Sequence, residues 1–215
     1  MLHDTRPVLP AMLVMILTAA CTSTYYRALE TVGIEKREVL VSRIDNARDA
    51  QSAAKEQFGS ALAQYRELVS VNGGDLEKTY DRLSAAYERS ERRAGEVSDR
   101  IRAVERVAGD LFDEWEGEID EYSDADLRRR STQLLTETRS DYEDVIRAMR
   151  RAEQSMGPVL TLFNDQVLFL RHNLNARAIG SLQAELGAVE QATTALIREM
   201  EEAIAEAGRF IDAAG

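Results

Sequence analysis

Cysteine, proline, histidine and aromatic residues are all scarce in this chain, and each scarcity excludes something. One cysteine, Cys21, builds neither an intramolecular disulfide nor a cysteine-rich metal site. Beyond the first few residues the only histidine is His172, so no histidine pair exists to share a metal ion. With 3 prolines in 215 residues, little stands in the way of long helices. No apolar run reaches the roughly 20 residues that a membrane-spanning helix needs. The string G-x-x-x-x-G-K-[S/T] is missing, which argues against a P-loop ATPase. No nucleophile motif accompanies His172, so no Ser-His-Asp triad is recognisable. The residues thus offer no catalytic group, no cofactor-binding site and no metal ligands, and the expectation is a protein that is not an enzyme.

What is present is charge and helix-forming composition. Charged residues make up 30% of the chain and the net charge is −11. A surface this acidic repels phosphate backbones, so nucleic acid is not an expected partner. Plentiful Ala, Glu, Arg and Leu with few helix breakers point to long helices or coiled coil. A hydrophobic share of 44% is enough for a core and argues against wholesale disorder.

Residues 8–20 form the stretch VLPAMLVMILTAA, and Cys21 follows directly. The stretch is too short to span a bilayer and has the length of a signal-peptide core, with Ala19 and Ala20 as small residues before a cut. The string from Leu17 to Cys21 resembles a bacterial lipobox, although Thr18 stands where Leu is usual and the residues before the apolar core carry little positive charge. The resemblance implies a lipoprotein signal peptide over 1–20, with Cys21 as the lipid attachment. Several acyl chains, at about 0.8 kcal/mol per buried methylene, then hold the chain on a membrane without a spanning helix. Thr22, and not Asp, follows the cysteine. By resemblance to Gram-negative lipoproteins, this points to the outer membrane, facing the periplasm.

Beyond the leader, apolar residues return every three or four positions. A first series runs Leu40, Ile44, Ala47, Gln51, Ala54, Phe58, Ala61, Tyr65, Leu68, and a second runs Leu76, Tyr80, Leu83, Tyr87, Ser90, Ala94, Val97, Ile101, Val104, Ala108, Leu111, Trp115. The third is Leu135, Thr138, Tyr142, Val145, Met149, Ala152, Met156, Val159, Phe163, Gln166, Leu170. The fourth is Ile179, Leu182, Leu186, Val189, Thr193, Leu196, Met200, Ala203, Ala207, Phe210. Such spacing is the seam of a coiled coil. Asn72-Gly73-Gly74 closes the first helix and Asp75 caps the second. A second turn is expected over 118–124, with Ser123 and Asp126 as a capping box. Gly157-Pro158 is read as a kink because the seam keeps phase across it. A last turn is placed at 172–175; one continuous helix with a stutter is the alternative. The spacing predicts an all-α, elongated, antiparallel four-helix coiled-coil bundle, up-down-up-down, in a single domain over 21–215. Its helices are expected at roughly 24–71, 75–117, 124–172 and 176–213.

Two places carry enough polar groups to be weighed as sites. The densely acidic residues 113–126 have the chemistry for weak divalent-cation binding, but they lack EF-hand spacing and fit a solvated bundle tip. Arg128, Arg129 and Arg130 follow, and pairing with that acidic turn is favoured over contact with phosphate. Arg147, Arg150 and Arg151 add a modest basic strip. His172, Asn173, Asn175 and Arg177 form a polar group at the last turn, a candidate recognition site.

Four strings, CTSTYYRALETVGIEKREVLVSRIDNARDAQ, GGDLEKTYDRLSAAYERSE, LFDEWEGEIDEYSDADLRR and QVLFLRHNLNARAIGSLQAEL, resemble an uncharacterised bacterial lipoprotein family, domain of unknown function 2959. The similarity spans essentially all of the chain after the leader. It implies a Gram-negative envelope lipoprotein and nothing catalytic; the DNA-repair ATPase label carried by some members conflicts with the acidic charge and the missing phosphate loop. The expected partners are the membrane, through the lipid anchor, and an envelope protein, with self-association through a coiled-coil surface as a further candidate. The expected role is scaffold, spacer or partner-binding rod; the alternative is a binder of a small ligand or cation at the acidic tip or the 172–177 turn.

Overall fold

The computed structural model describes residues 36–70, 76–173 and 175–214. They form four helices: α1 (Lys36–Ser70), α2 (Leu76–Glu121), α3 (Ala125–Arg171) and α4 (Ala176–Ala214), with no strand among the described residues. The expected leader, Cys21, the helix start near Thr24, the Asn72-Gly73-Gly74 turn and the Asp75 cap lie outside the described residues.

The helices are long because each has one stripe to hide and few breakers. They pack in a ring, with α1 beside α2 and α4, and α3 beside α2 and α4. This is the antiparallel up-down-up-down bundle that short connections favour. At 1.5 Å per residue, α2 and α3 are each about 70 Å long.

The nine seam positions expected on α1 are all buried, including Gln51. On α2 the seam from Leu83 to Leu111 is buried or packed against the core, and so is the α4 seam from Ile179 to Phe210. Small and large side chains alternate along the α1 seam. Ala47, Ala54 and Ala61 recur every seven residues between Ile44, Phe58 and Tyr65, and such alternation lets facing layers interdigitate. Tyr65 is fully buried, and its hydroxyl donates to the Leu182 carbonyl of α4 at 3.0 Å. Its ring meets Phe163 of α3 edge-on, with centroids 6.3 Å apart.

Three local expectations change. The second helix continues to Glu121 instead of ending near 117, because Ile119 is buried and the extra turn packs. The cap of α3 is Asp124, not Ser123: its Oδ1 accepts from the amides of Asp126 at 2.7 Å and Leu127 at 3.0 Å. A carboxylate one residue later meets two amides at a helix end that favours negative charge. On α3 the core takes Val167 in place of Gln166, so the apolar side chain of the adjacent pair is the buried one. The turn expected between α3 and α4 is present, which removes the alternative of a single stuttered helix.

Pro158 sits inside α3, which runs through it without interruption. Proline there forfeits the bond to the Gln154 carbonyl and costs about 3 kcal/mol. Met156 and Val159, buried on either side, supply burial that offsets this. The Thr161 hydroxyl also donates to the Gly157 carbonyl at 3.1 Å.

The core has polar interruptions. Gln51 is fully buried; its Nε2 donates to the Met149 carbonyl across the bundle at 3.4 Å, while its Oε1 has no partner. Thr193 is buried with its hydroxyl unpartnered. Such groups set register at a cost in stability. Replacing Gln51 by Leu is expected to raise the unfolding free energy by about 1–2 kcal/mol in urea titration, because an unsatisfied amide is exchanged for apolar packing. Gln51→Ala, which leaves a cavity, lowers it.

Alkaline pH is the other lever. Burial, with the Glu185 charge second, pushes the Tyr65 hydroxyl well above the usual tyrosine range. Burial, then the Glu105 charge, pushes Tyr142 up to about 12 despite the opposing Arg150. An acid whose folded pKa is raised contributes its stability in full below the unfolded pKa of about 10 and loses it as pH rises toward the folded value. The melting temperature is therefore expected to fall steadily between pH 10 and 12, and Tyr65→Phe is expected to reduce that slope in calorimetry.

Candidate functional site

The turn between α3 and α4 is the candidate recognition site, and its polar residues act first on the backbone. Helix α3 ends with four free carbonyls that need donors. The Asn173 amide donates to the Leu170 carbonyl at 3.0 Å, and Asn173 Nδ2 donates to the Phe169 carbonyl at 2.9 Å. The Asn175 amide then donates to the Asn173 carbonyl at 2.9 Å. Asn175 opens α4: its Oδ1 accepts from the Ala178 amide at 3.1 Å, and its carbonyl accepts from the Ile179 amide at 3.2 Å. His172 closes α3, donating its backbone N–H to the Leu170 carbonyl. The side chains of His172 and Arg177 are exposed. The two asparagines are thus helix caps, and His172 and Arg177 are what the turn offers to solvent.

Beside them lies a feature outside the apolar seams. Leu168 is 45% and Phe169 41% exposed, on the last turns of α3. Val167 and Leu170 on either side are buried. The signal was in the sequence: four consecutive apolar residues, 167–170, cannot all fit one stripe of a helix, so two must face outward. Leu168 and Phe169, with exposed Arg171 and His172 next in the chain, leave apolar surface at one end of the bundle.

The opposite end carries the acidic residues 113–126, and their carboxylates are dispersed. Glu114 pairs with Lys36, Glu116 with Arg139 at 2.7 Å and Asp126 with Arg129 at 2.8 Å, while Asp124 caps α3. The Arg128 guanidinium donates to the Tyr122 carbonyl at 2.6 Å. Arg128 and Arg129 are therefore engaged with the turn itself. Among the described residues no group of three or more His, Cys, Asp or Glu side chains is placed to hold a metal ion.

The basic strip on α3 is likewise engaged. Arg147 bonds Asp144, and Arg150 grips Glu105 of α2 with two nitrogens while bonding Glu153. The Glu105 hydrogen bonds are the main reason that the Arg150 pKa is raised further. Arg150 thus ties α2 to α3. No helix among the described residues is long and apolar enough to cross a membrane.

Comparison with known families adds one finding. A protein family of unknown function, DUF2959, matches residues 25–214. The chain belongs to this family. The match covers all four helices of this DUF2959 protein and begins upstream of α1. No curated protein and no solved structure matches it.

Removal of the Asn175 side-chain acceptor is expected to cost about 1 kcal/mol of stability, the usual worth of an N-cap. Thermal unfolding of Asn175→Ala checks this, with Asn175→Asp retaining most of the stability. Phe169→Ser, which removes an exposed ring, is expected to stay within about 0.5 kcal/mol of the parent protein.

Proposed function

We propose that this protein is a non-enzymatic envelope lipoprotein: a lipid-anchored helical rod that holds a partner-binding end away from a membrane. The observation that carries this reading is the lipobox-like string at Cys21 placed ahead of a rod whose first described helix starts at Lys36. In an antiparallel bundle, the start of α1 lies at the same end as the 122–124 turn, and the Lys36–Glu114 bridge ties it to α2. The α3–α4 turn lies at the far end. A chain anchored at Cys21 would therefore keep the acidic tip near the membrane. It would present Leu168, Phe169, His172 and Arg177 several tens of ångströms away, given about 1.5 Å of rise per residue.

The exposed Leu168–Phe169 pair has the composition of an interface centre, an aromatic and an aliphatic side chain bordered by charge. The proposed site is the outer membrane, facing the periplasm, with an envelope protein as the partner.

The anchor is tested by growing cells that express the full chain on radiolabelled palmitate. Label is expected in the protein and in the outer-membrane fraction, and Cys21→Ala is expected to abolish both. Label that survives Cys21→Ala, or a wild-type chain that stays soluble, rejects the anchor. The distal end is tested by crosslinking in living cells from positions 168 and 169. A recurrent protein adduct that is lost in Leu168→Glu/Phe169→Glu is expected, while repeated failure to obtain any adduct rejects a partner-binding end.

A further inference from the structure

Helix α3 is one element, but its ladder of backbone hydrogen bonds has a gap. Pro158 has no N–H, so the Gln154 carbonyl lacks its helical partner, and the proline ring crowds the turn ahead of it. Gly157 precedes it, and after proline glycine is the residue least suited to a helix interior. Gly157 is exposed, and a Cβ placed on it would meet nothing within 4 Å, so no close approach demands a glycine there. The same holds for Gly95 of α2. The two glycines line one open groove between α2 and α3, together with Ala94, Gln154 and Leu160. At this level the two helices are not sealed against each other.

Ahead of the proline, α3 is tied to its neighbours by polar contacts. The Trp115 indole donates to the Ser131 hydroxyl, and Arg139 bonds Glu116 and lies over the Phe112 ring. Arg150 grips Glu105, and Ser155 bonds Glu199 of α4. Beyond the proline these ties stop. Among the described residues no hydrogen bond or ion pair joins residues 158–171 to another helix; the Thr161 hydroxyl and the Asn173 amide side chain donate to carbonyls of α3 itself. What holds the segment is apolar. Val159, Phe163, Val167 and Leu170 are buried, and Phe163 meets Tyr65 of α1 edge-on. Leu168 and Phe169 contribute less, because both are exposed.

We propose that residues 158–171 form an arm that opens as a unit of its own, ahead of the rest of the bundle. In an unbroken helix each turn is locked to the one before it by the hydrogen bonds that cross the boundary, which makes opening cooperative. At Pro158 one of those bonds is missing, so the arm leaves without unravelling residues 140–156. Proteins open locally in contiguous units, and the units with the fewest ties open first. Here the missing backbone bond, the unsealed groove beside Gly95 and the lack of polar ties fall at one boundary. Opening frees Val167 and Leu170 beside Leu168 and Phe169, so that the whole apolar run 167–170 faces solvent together. The arm is thus a releasable apolar segment at the α3–α4 end of the rod. It is a property of the helix itself and requires neither a lipid anchor nor a partner.

Native-state hydrogen exchange of the full chain, without denaturant and corrected for intrinsic rates, tests this. The amides of residues 161–167 are compared with those of residues 143–152. Exchange at least tenfold faster in the first group is expected. The same ratio is then measured in Gly157→Ala/Pro158→Ala, which restores the donor to the Gln154 carbonyl and rejoins the two parts of α3. The ratio is expected to fall to threefold or less, with the melting temperature and circular dichroism showing that the variant is folded. A ratio below tenfold in the parent protein overturns the proposal without recourse to the variant. A ratio that stays above threefold in the folded variant also overturns it, because the difference would then not come from the break at Pro158.

Discussion

Each helix of this protein carries an apolar stripe that repeats every three and a half residues and that water penalises. At roughly 25 cal/mol per Å² of apolar surface, no single helix of forty residues hides its stripe alone. Four such helices hide all four stripes only by running side by side, and short connections force neighbours to alternate direction. Ring order, bundle length and the placement of Tyr65 against Phe163 and Leu182 all follow from that requirement. The few polar residues on the stripes, Gln51, Ser90 and Thr193, interrupt it without breaking it. They give the helices distinct layers, so that sliding by one heptad would move a buried amide against an apolar neighbour.

The same requirement makes the two ends of the rod unlike each other. At one end the α2–α3 hairpin is densely acidic and leaves Leu127 and Leu134 exposed. At the other, the chain turns tightly from α3 to α4 and leaves Leu168 and Phe169 facing outward. The surface arginines serve the rod itself: Arg66 bonds Glu190, Arg139 bonds Glu116, and Arg150 clamps Glu105, each bridging two helices. These exposed pairs contribute modestly to stability, and their main effect is to consume charge that would otherwise read as a phosphate-binding strip.

Asn173 and Asn175 show why the candidate site was only half legible. Asparagine at a turn between two helical patterns has two readings, recognition and capping, and the sequence gives no means of choosing. The coordinates choose capping for both, because each amide sits within hydrogen-bond reach of an unpaired backbone group. Leu168 and Phe169 were visible only as members of an apolar run. Which two of the four residues face outward depends on how α3 rotates against its neighbours, and the step from Phe163 to Val167 instead of Gln166 sets that rotation.

Periodicity alone determined the fold class and most core positions, since a 3–4 spacing dictates which side of a helix must be buried wherever that helix finds a neighbour. Composition and charge determined which chemistries lack their residues. Only the tertiary structure decided that Asp124 caps α3, that the α3–α4 connection is a turn, and that α2 reaches Glu121. These depend on where partner helices begin and end relative to one another, and an offset between helices far apart in sequence leaves no mark on the local pattern of either.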